Sequence, residues 1–149
     1  MNKFLFLILA LLAANTLQAA ETERFITKVK LPSGQTAVVA EGEFEARSIG
    51  SFSVRLYDAA AAGDETTFFR SGLVRPRNGV IEKVVLADVA GDQRPEIVVI
   101  VRSAGTGGYL SAQAFAVARQ RLLFRAAVNS LPADANPLAA LRKAGRKRS

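Results

Sequence analysis

From Phe25 onward, apolar residues recur at every second position far more often than at the 3.6-residue spacing of a helix, which restricts the chain to a β architecture. Phe25, Thr27, Val29 and Leu31 alternate with Ile26, Lys28 and Lys30, the pattern of a half-buried strand. Pro32-Ser33-Gly34 then turns the chain into a second strand over Thr36 to Ala40. Further strands are predicted at Ser51 to Tyr57, Thr66 to Val74, Val80 to Ala87, Leu110 to Ala118 and Arg121 to Val128. Asn78-Gly79 reads as a hairpin turn, because both residue types tolerate positive φ. Glu96 to Val101 is almost wholly apolar and β-branched, so a central strand buried on both faces is expected there. Eight strands at this spacing predict an all-β fold, an antiparallel sandwich or barrel, with the sandwich preferred. Ala59 to Ala62 is compatible with one helical turn. Pro137 to Ala144 is the one longer helical stretch, with Pro137 suited to the first turn, and a disordered basic tail is expected to follow.

Ahead of the strands, Asn2-Lys3 gives a short positive start and Phe4 to Ala14 carries no polar side chain. This run is too short to span a bilayer, which takes about 18 apolar residues. The small residues of Leu17-Gln18-Ala19-Ala20 offer a signal peptidase site after Ala19. The expected organisation is a cleaved signal peptide over 1–19, one β domain over 20–135, and a short helix with a basic tail over 136–149. An exported chain without cysteine fits a bacterial periplasm better than a disulfide-stapled extracellular scaffold, and no membrane insertion is expected.

The sequence contains no histidine and no cysteine. That excludes a Ser-His-Asp triad, a cysteine nucleophile, an HExxH or zinc-knuckle site and a histidine-ligated haem. Nothing assembles a nucleophile with its base, so an enzyme is not expected, and no cofactor is called for. The formal charge of +7 would ordinarily suggest nucleic acid, but it is unevenly distributed. Lys3 and the five basic residues between Arg142 and Ser149 account for most of it, leaving 14 basic against 13 acidic residues in Ala20 to Leu141. The body is nearly neutral, so nucleic acid is not an expected partner. Pairing of two copies through a free sheet edge, giving a homodimer, is compatible with the sequence.

Two loops are candidate sites. In Asp88-Val-Ala-Gly-Asp92-Gln-Arg-Pro-Glu96, carboxylates at the first, fifth and ninth positions echo a calcium loop. Ala90 stands where a third-position ligand belongs and Gln93 where a glycine normally makes the sharp turn, so a plain acidic turn is the stronger reading. A calcium-dependent structural or carbohydrate-binding module using Asp88, Asp92 and Glu96 is the alternative function. The second loop, Arg102-Ser103-Ala104-Gly105-Thr106-Gly107-Gly108-Tyr109, joins the most buried strand to the next and is longer than a minimal hairpin needs. It is no phosphate loop, since no lysine follows the glycines and no helix opens there. It reads equally well as a glycine-rich hairpin and as a recognition loop that carries hydroxyls on Thr106 and Tyr109 into a narrow groove.

The segments Gly42 to Tyr57, Leu86 to Asp92 and Pro95 to Tyr109 resemble the periplasmic inhibitors of invertebrate-type (i-type) lysozyme, over roughly Phe25 to Leu131. The resemblance implies a β-sandwich whose protruding loop enters the lysozyme's substrate groove, where a serine and a tyrosine three residues later contact the catalytic region. Thr106 and Tyr109 occupy those positions here, within a binding loop of Ser103, Gly105, Thr106, Gly107, Gly108 and Tyr109. It further implies lysozyme, i-type first and other types second, as the partner, and competitive occlusion without chemistry as the mechanism.

Overall fold

Alternation of inward and outward side chains produces eight antiparallel strands in a computed structural model that describes residues 23–146. They are β1 (Ile26–Lys30), β2 (Thr36–Glu41), β3 (Ile49–Tyr57), β4 (Phe69–Asn78), β5 (Val80–Ala87), β6 (Glu96–Arg102), β7 (Leu110–Ala118) and β8 (Arg121–Leu131), followed by a helix, α1 (Pro137–Arg146). Two four-stranded meanders, β1-β2-β3-β4 and β5-β6-β7-β8, face each other as the expected sandwich. The first sheet sends Val39, Phe52, Val54 and Leu56 into the shared core, and the second sends Ile97, Val99, Val101 and Phe115. Phe52 and Phe115 meet edge to face across the gap, with ring centroids 6.1 Å apart, a geometry favoured by the ring quadrupoles.

β6 is buried on both faces, as its composition predicts, and α1 supplies the second cover. Val98 and Ile100 point away from the sandwich core toward Leu138 and the fully buried Leu141 of the helix. Ala112, Ala114 and Ala126 line the same surface, and their small side chains let a helix lie close to the sheet. The helix starts where it does because the Asn136 side-chain oxygen accepts from the amides of Leu138 and Ala139, both at 3.1 Å, ahead of Pro137 at the first position. It runs past Ala144 to Arg146, so Arg146 belongs to the helix with Arg142 and Lys143, and not to a disordered tail. The Arg142 guanidinium donates to the Asp88 carbonyl at 3.1 Å and ties the helix to the β5–β6 turn. The expected signal segment lies outside the described residues.

The structure corrects three local readings. Asn78-Gly79 is a corner between the sheets and makes no hairpin, since β4 pairs with β3 and β5 with β6. Its cause is the preceding residue, Arg77, which points inward and is only 3% exposed. Its guanidinium donates to the carbonyls of Ala46, Arg47, Ser51 and Gly79 at 2.6–3.0 Å, bonds that hold β4 to the β2–β3 loop and bend the chain out of the first sheet. β4 begins at Phe69 instead of Thr66, because Asp64 captures the amide and hydroxyl of Thr66 at 2.8 and 2.6 Å in a local turn. It then continues past Val74 through Pro76, a residue tolerated here because β4 is an edge strand. Ala59 to Ala62 forms no helical turn. Gly63, at φ +81°, is instead the third residue of a tight turn closed by the Asp64 amide on the Ala61 carbonyl at 3.0 Å.

Candidate functional site

Strand register brings three connections to one end of the sandwich. Ile49 opposite Asn78 sets the start of β3 beside the end of β4, and Val80 opposite Arg102 sets the start of β5 beside the end of β6. The β2–β3 loop, the Asn78-Gly79 corner and the Ser103–Tyr109 loop therefore lie together. The Asp88–Pro95 turn lies at the far end, where Ala87 pairs with Glu96.

The Ser103–Tyr109 loop has a fastened base and an open tip. At the base the Ser103 amide donates to the Tyr109 carbonyl at 2.8 Å, and Arg102 donates to the Gly108 carbonyl at 2.9 Å. Arg102 also bonds the Glu82 carboxylate on the neighbouring strand. That hydrogen bond, with the attraction between the charges, raises the guanidinium pKa against partial desolvation. The corner presses on the same place. Gly79 adopts φ +119°, and a Cβ there would overlap the Arg102 carbonyl, so only glycine lets the two segments approach this closely.

Above the base, the Gly108 amide donates to the Gly105 carbonyl at 3.2 Å, which places Thr106 and Gly107 at the apex of a tight turn. Both are exposed. The Tyr109 ring folds back over Gly107, where an added Cβ would stand 2.5 Å from the ring edge. Glycine at 107 thus makes room for the aromatic ring, and Gly108, at φ +55°, reverses the chain into β7. Tyr109 remains 54% exposed, so a large amphipathic ring and the Thr106 hydroxyl are presented together at the tip. Gly105 faces open space. Ser103 does not join this surface. Its hydroxyl is buried at the base with no hydrogen-bond partner among the described residues, so Ser103 sits in the foundation of the loop and not on its presented tip.

The acidic turn is built differently. One Asp88 oxygen accepts from the amides of Gly91 and Asp92 at 2.6 and 3.2 Å, and the other from Gln93 at 2.9 Å. Asp92 accepts from the Arg94 amide at 3.0 Å. Glu96, 3% exposed, accepts from the Val89 amide at 2.7 Å. Gln93 takes the left-handed conformation, φ +64°, that a glycine would occupy in a calcium loop. The carboxylates therefore satisfy backbone donors of their own loop, and among the described residues no three carboxylates converge on a cation position.

Two features of the loop-bearing end carry no strong sequence signal. Glu41, at the end of β2, is buried and accepts from the Ile81 amide at 2.7 Å, joining the two sheets beside the corner. Phe44 stands fully exposed in the β2–β3 loop. Its only sequence signal is an aromatic residue flanked by Glu43 and Glu45 in an otherwise polar turn.

A family model described as the periplasmic lysozyme inhibitor of I-type lysozyme, PliI, matches residues 23–145. The chain belongs to this family. The match extends into α1, beyond Leu131. A crystal structure of PliI from Aeromonas hydrophila superposes with a TM-score of 0.74 at 42% identity, covering 78% of this chain and 98% of that one. A second structure, Aeromonas hydrophila PliI in complex with Meretrix lusoria lysozyme, gives 0.73 at 41% identity over 79% of this chain and 95% of that one. Comparison with curated proteins returned no match. The PliI family is one of periplasmic inhibitors and not of enzymes, in accord with the missing nucleophile and base. Among the described residues no helix is long and apolar enough to cross a membrane.

Proposed function

We propose that this protein inhibits I-type lysozyme by inserting the Ser103–Tyr109 loop into the enzyme's substrate groove, so that peptidoglycan cannot enter. The observation that carries this reading is the pairing of a fastened base with an open tip: Arg102, Glu82 and Gly79 hold the foot of the loop while Thr106 and Tyr109 face outward. A loop already in its binding shape loses little conformational freedom on docking. The relative from Aeromonas hydrophila has been crystallised in complex with a lysozyme, which supports a lysozyme as the partner here.

The chemistry suits the target. A lysozyme keeps one carboxyl protonated and another ionised across the scissile bond. The hydroxyls of Thr106 and Tyr109 can donate to the ionised carboxylate, and the tyrosine ring fills a sugar subsite. A hydrogen bond to a charged group contributes about 1.5–3 kcal/mol, and truncating a buried aromatic anchor costs about 2 kcal/mol or more. Two such anchors on a preorganised loop carry much of a tight complex.

Titration of the purified protein into invertebrate-, goose- and chicken-type lysozymes in a cell-wall lysis assay tests the reading. Inhibition of the invertebrate enzyme at the lowest inhibitor concentration is expected. Equal indifference of all three enzymes would overturn it.

A further inference from the structure

The β2–β3 loop is tightly constrained, and yet its most apolar residue faces solvent. Buried Arg77 grips its carbonyls at Ala46 and Arg47. Glu45 folds back to accept from the Ser51 amide and hydroxyl at 2.6 and 2.7 Å. Arg24 bonds the Glu45 carbonyl, and Arg47 reaches both the Glu23 carbonyl and the Glu41 carboxylate. On this scaffold Phe44 is completely exposed and adopts φ +59°, a left-handed conformation unfavourable for a bulky L residue. A strained, solvated phenylalanine adds nothing to the core, and strain of this kind persists where the surroundings over-determine it, characteristically at sites of function.

Its neighbourhood indicates which function. The Gly79 amide donates to the Ser48 carbonyl at 2.8 Å, while the same glycine lies against the Arg102 carbonyl at the foot of the Ser103–Tyr109 loop. One residue thus couples the bases of both loops. A groove lined by Ile49, Asn78, Val101 and Ser111 continues from the end of the β2–β3 loop to the strand that follows Tyr109, and Ile49 is itself 63% exposed. The β2–β3 loop therefore stands at the same end of the sandwich as the loop proposed to enter the lysozyme, joined to its foot through Gly79.

We propose that Phe44 is a second anchor on the lysozyme, held outside the catalytic groove against an apolar hollow on its rim while Thr106 and Tyr109 fill the groove. The inference rests on the reading of the Ser103–Tyr109 loop given above. Exposed aromatic residues on rigid supports are the preferred anchors of protein interfaces. Phe44 would act mainly on how slowly the complex dissociates, as buried interface contacts do.

The test compares Phe44→Gly, Phe44→Tyr and Tyr109→Ala with the wild type by thermal melting, lysis inhibition and dissociation rate on an invertebrate-type lysozyme. Glycine occupies φ +59° without strain, so Phe44→Gly is expected to melt at or above the wild-type temperature while inhibiting about tenfold more weakly. Phe44→Tyr is expected to inhibit as the wild type does. Wild-type inhibition by Phe44→Gly beside impaired inhibition by Tyr109→Ala overturns the anchor and leaves the groove reading standing. A large fall in the melting temperature of Phe44→Gly also overturns it, by assigning the residue to the fold. Wild-type inhibition by both variants overturns the groove reading and the anchor with it.

Discussion

The two loops that bracket β6 are both rich in turn-forming residues, yet the Asp88–Pro95 turn is closed on itself and the Ser103–Tyr109 loop is open at its tip. In the first, carboxylates cap the turn's own amides, so the polar groups that suggest a ligand site are already occupied. In the second, hydrogen bonds close the base and the backbone of the apex turn, and the side chains of Thr106 and Tyr109 are left facing solvent. The difference teaches that a candidate site is identified less by the residue types in a loop than by which of their groups the fold leaves unpartnered. By that measure the glycine-rich loop is the better candidate for the proposed binding role, and the acidic turn is a structural element that supports the helix through the Asp88 carbonyl.

Several substitutions break this contrast or sharpen it. The largest effect is expected of Gly79→Ala, because a side chain at φ +119° would collide with the Arg102 carbonyl under the open loop. The cost is on the order of 3 kcal/mol of stability, read from chemical denaturation, and inhibition falls because the foot of the loop is displaced. Tyr109→Ala removes the presented ring alone. Inhibition is expected to weaken by about 2 kcal/mol, roughly thirtyfold, with the melting temperature unchanged. Asp88→Ala does the reverse, costing about 1 kcal/mol of stability through three lost capping bonds while leaving inhibition intact. Addition of calcium to the wild type should leave its melting temperature in place, since the carboxylates are held by amides.

The smallest effect concerns Glu45. Its pKa is lowered, first by the hydrogen bond from the Ser51 amide, then by the Ser51 hydroxyl, with Arg77 and Arg24 adding attraction. A folded-state pKa below the ordinary value of 4.5 means a contribution to stability that is complete above that value and is lost as pH falls through the lowered one. Glu45→Gln should therefore melt below the wild type at neutral pH, and the gap should close in acid. A gap independent of pH would show that the charge on Glu45 does not hold the β2–β3 loop.

Much of the architecture is legible in local pattern. Period-two alternation marks β1, β3 and β7, and the unbroken apolar run of Glu96 to Val101 announces a strand covered on both faces. What covers it is not legible, because burial of Val98 and Ile100 is a property of β6 whereas Leu138 and Leu141 arrive from the far end of the chain. The Asn78-Gly79 corner fails for a related reason. The dipeptide reports tolerance of positive φ, but whether the next strand pairs with the last is decided by the long-range bonds of Arg77 to residues 46, 47 and 51. Thr106 and Tyr109 stand out in sequence because glycines surround them, whereas the foundation under them is assembled at a distance, when Gly79 and Glu82 from the preceding corner and strand meet Arg102 and the buried Ser103 hydroxyl. Phe44 is visible only as an aromatic in a polar turn. Its exposure and backbone strain exist only once Arg77 and Glu45 have shaped the loop.

The central claim is that the loop and the substrate compete for one groove, and steady-state inhibition of an invertebrate-type lysozyme at several concentrations of a soluble chitooligosaccharide substrate tests it directly. The apparent inhibition constant is expected to rise linearly with substrate while the maximal rate stays unchanged. An inhibition constant independent of substrate, with a reduced maximal rate, would place the inhibitor away from the groove and contradict the account.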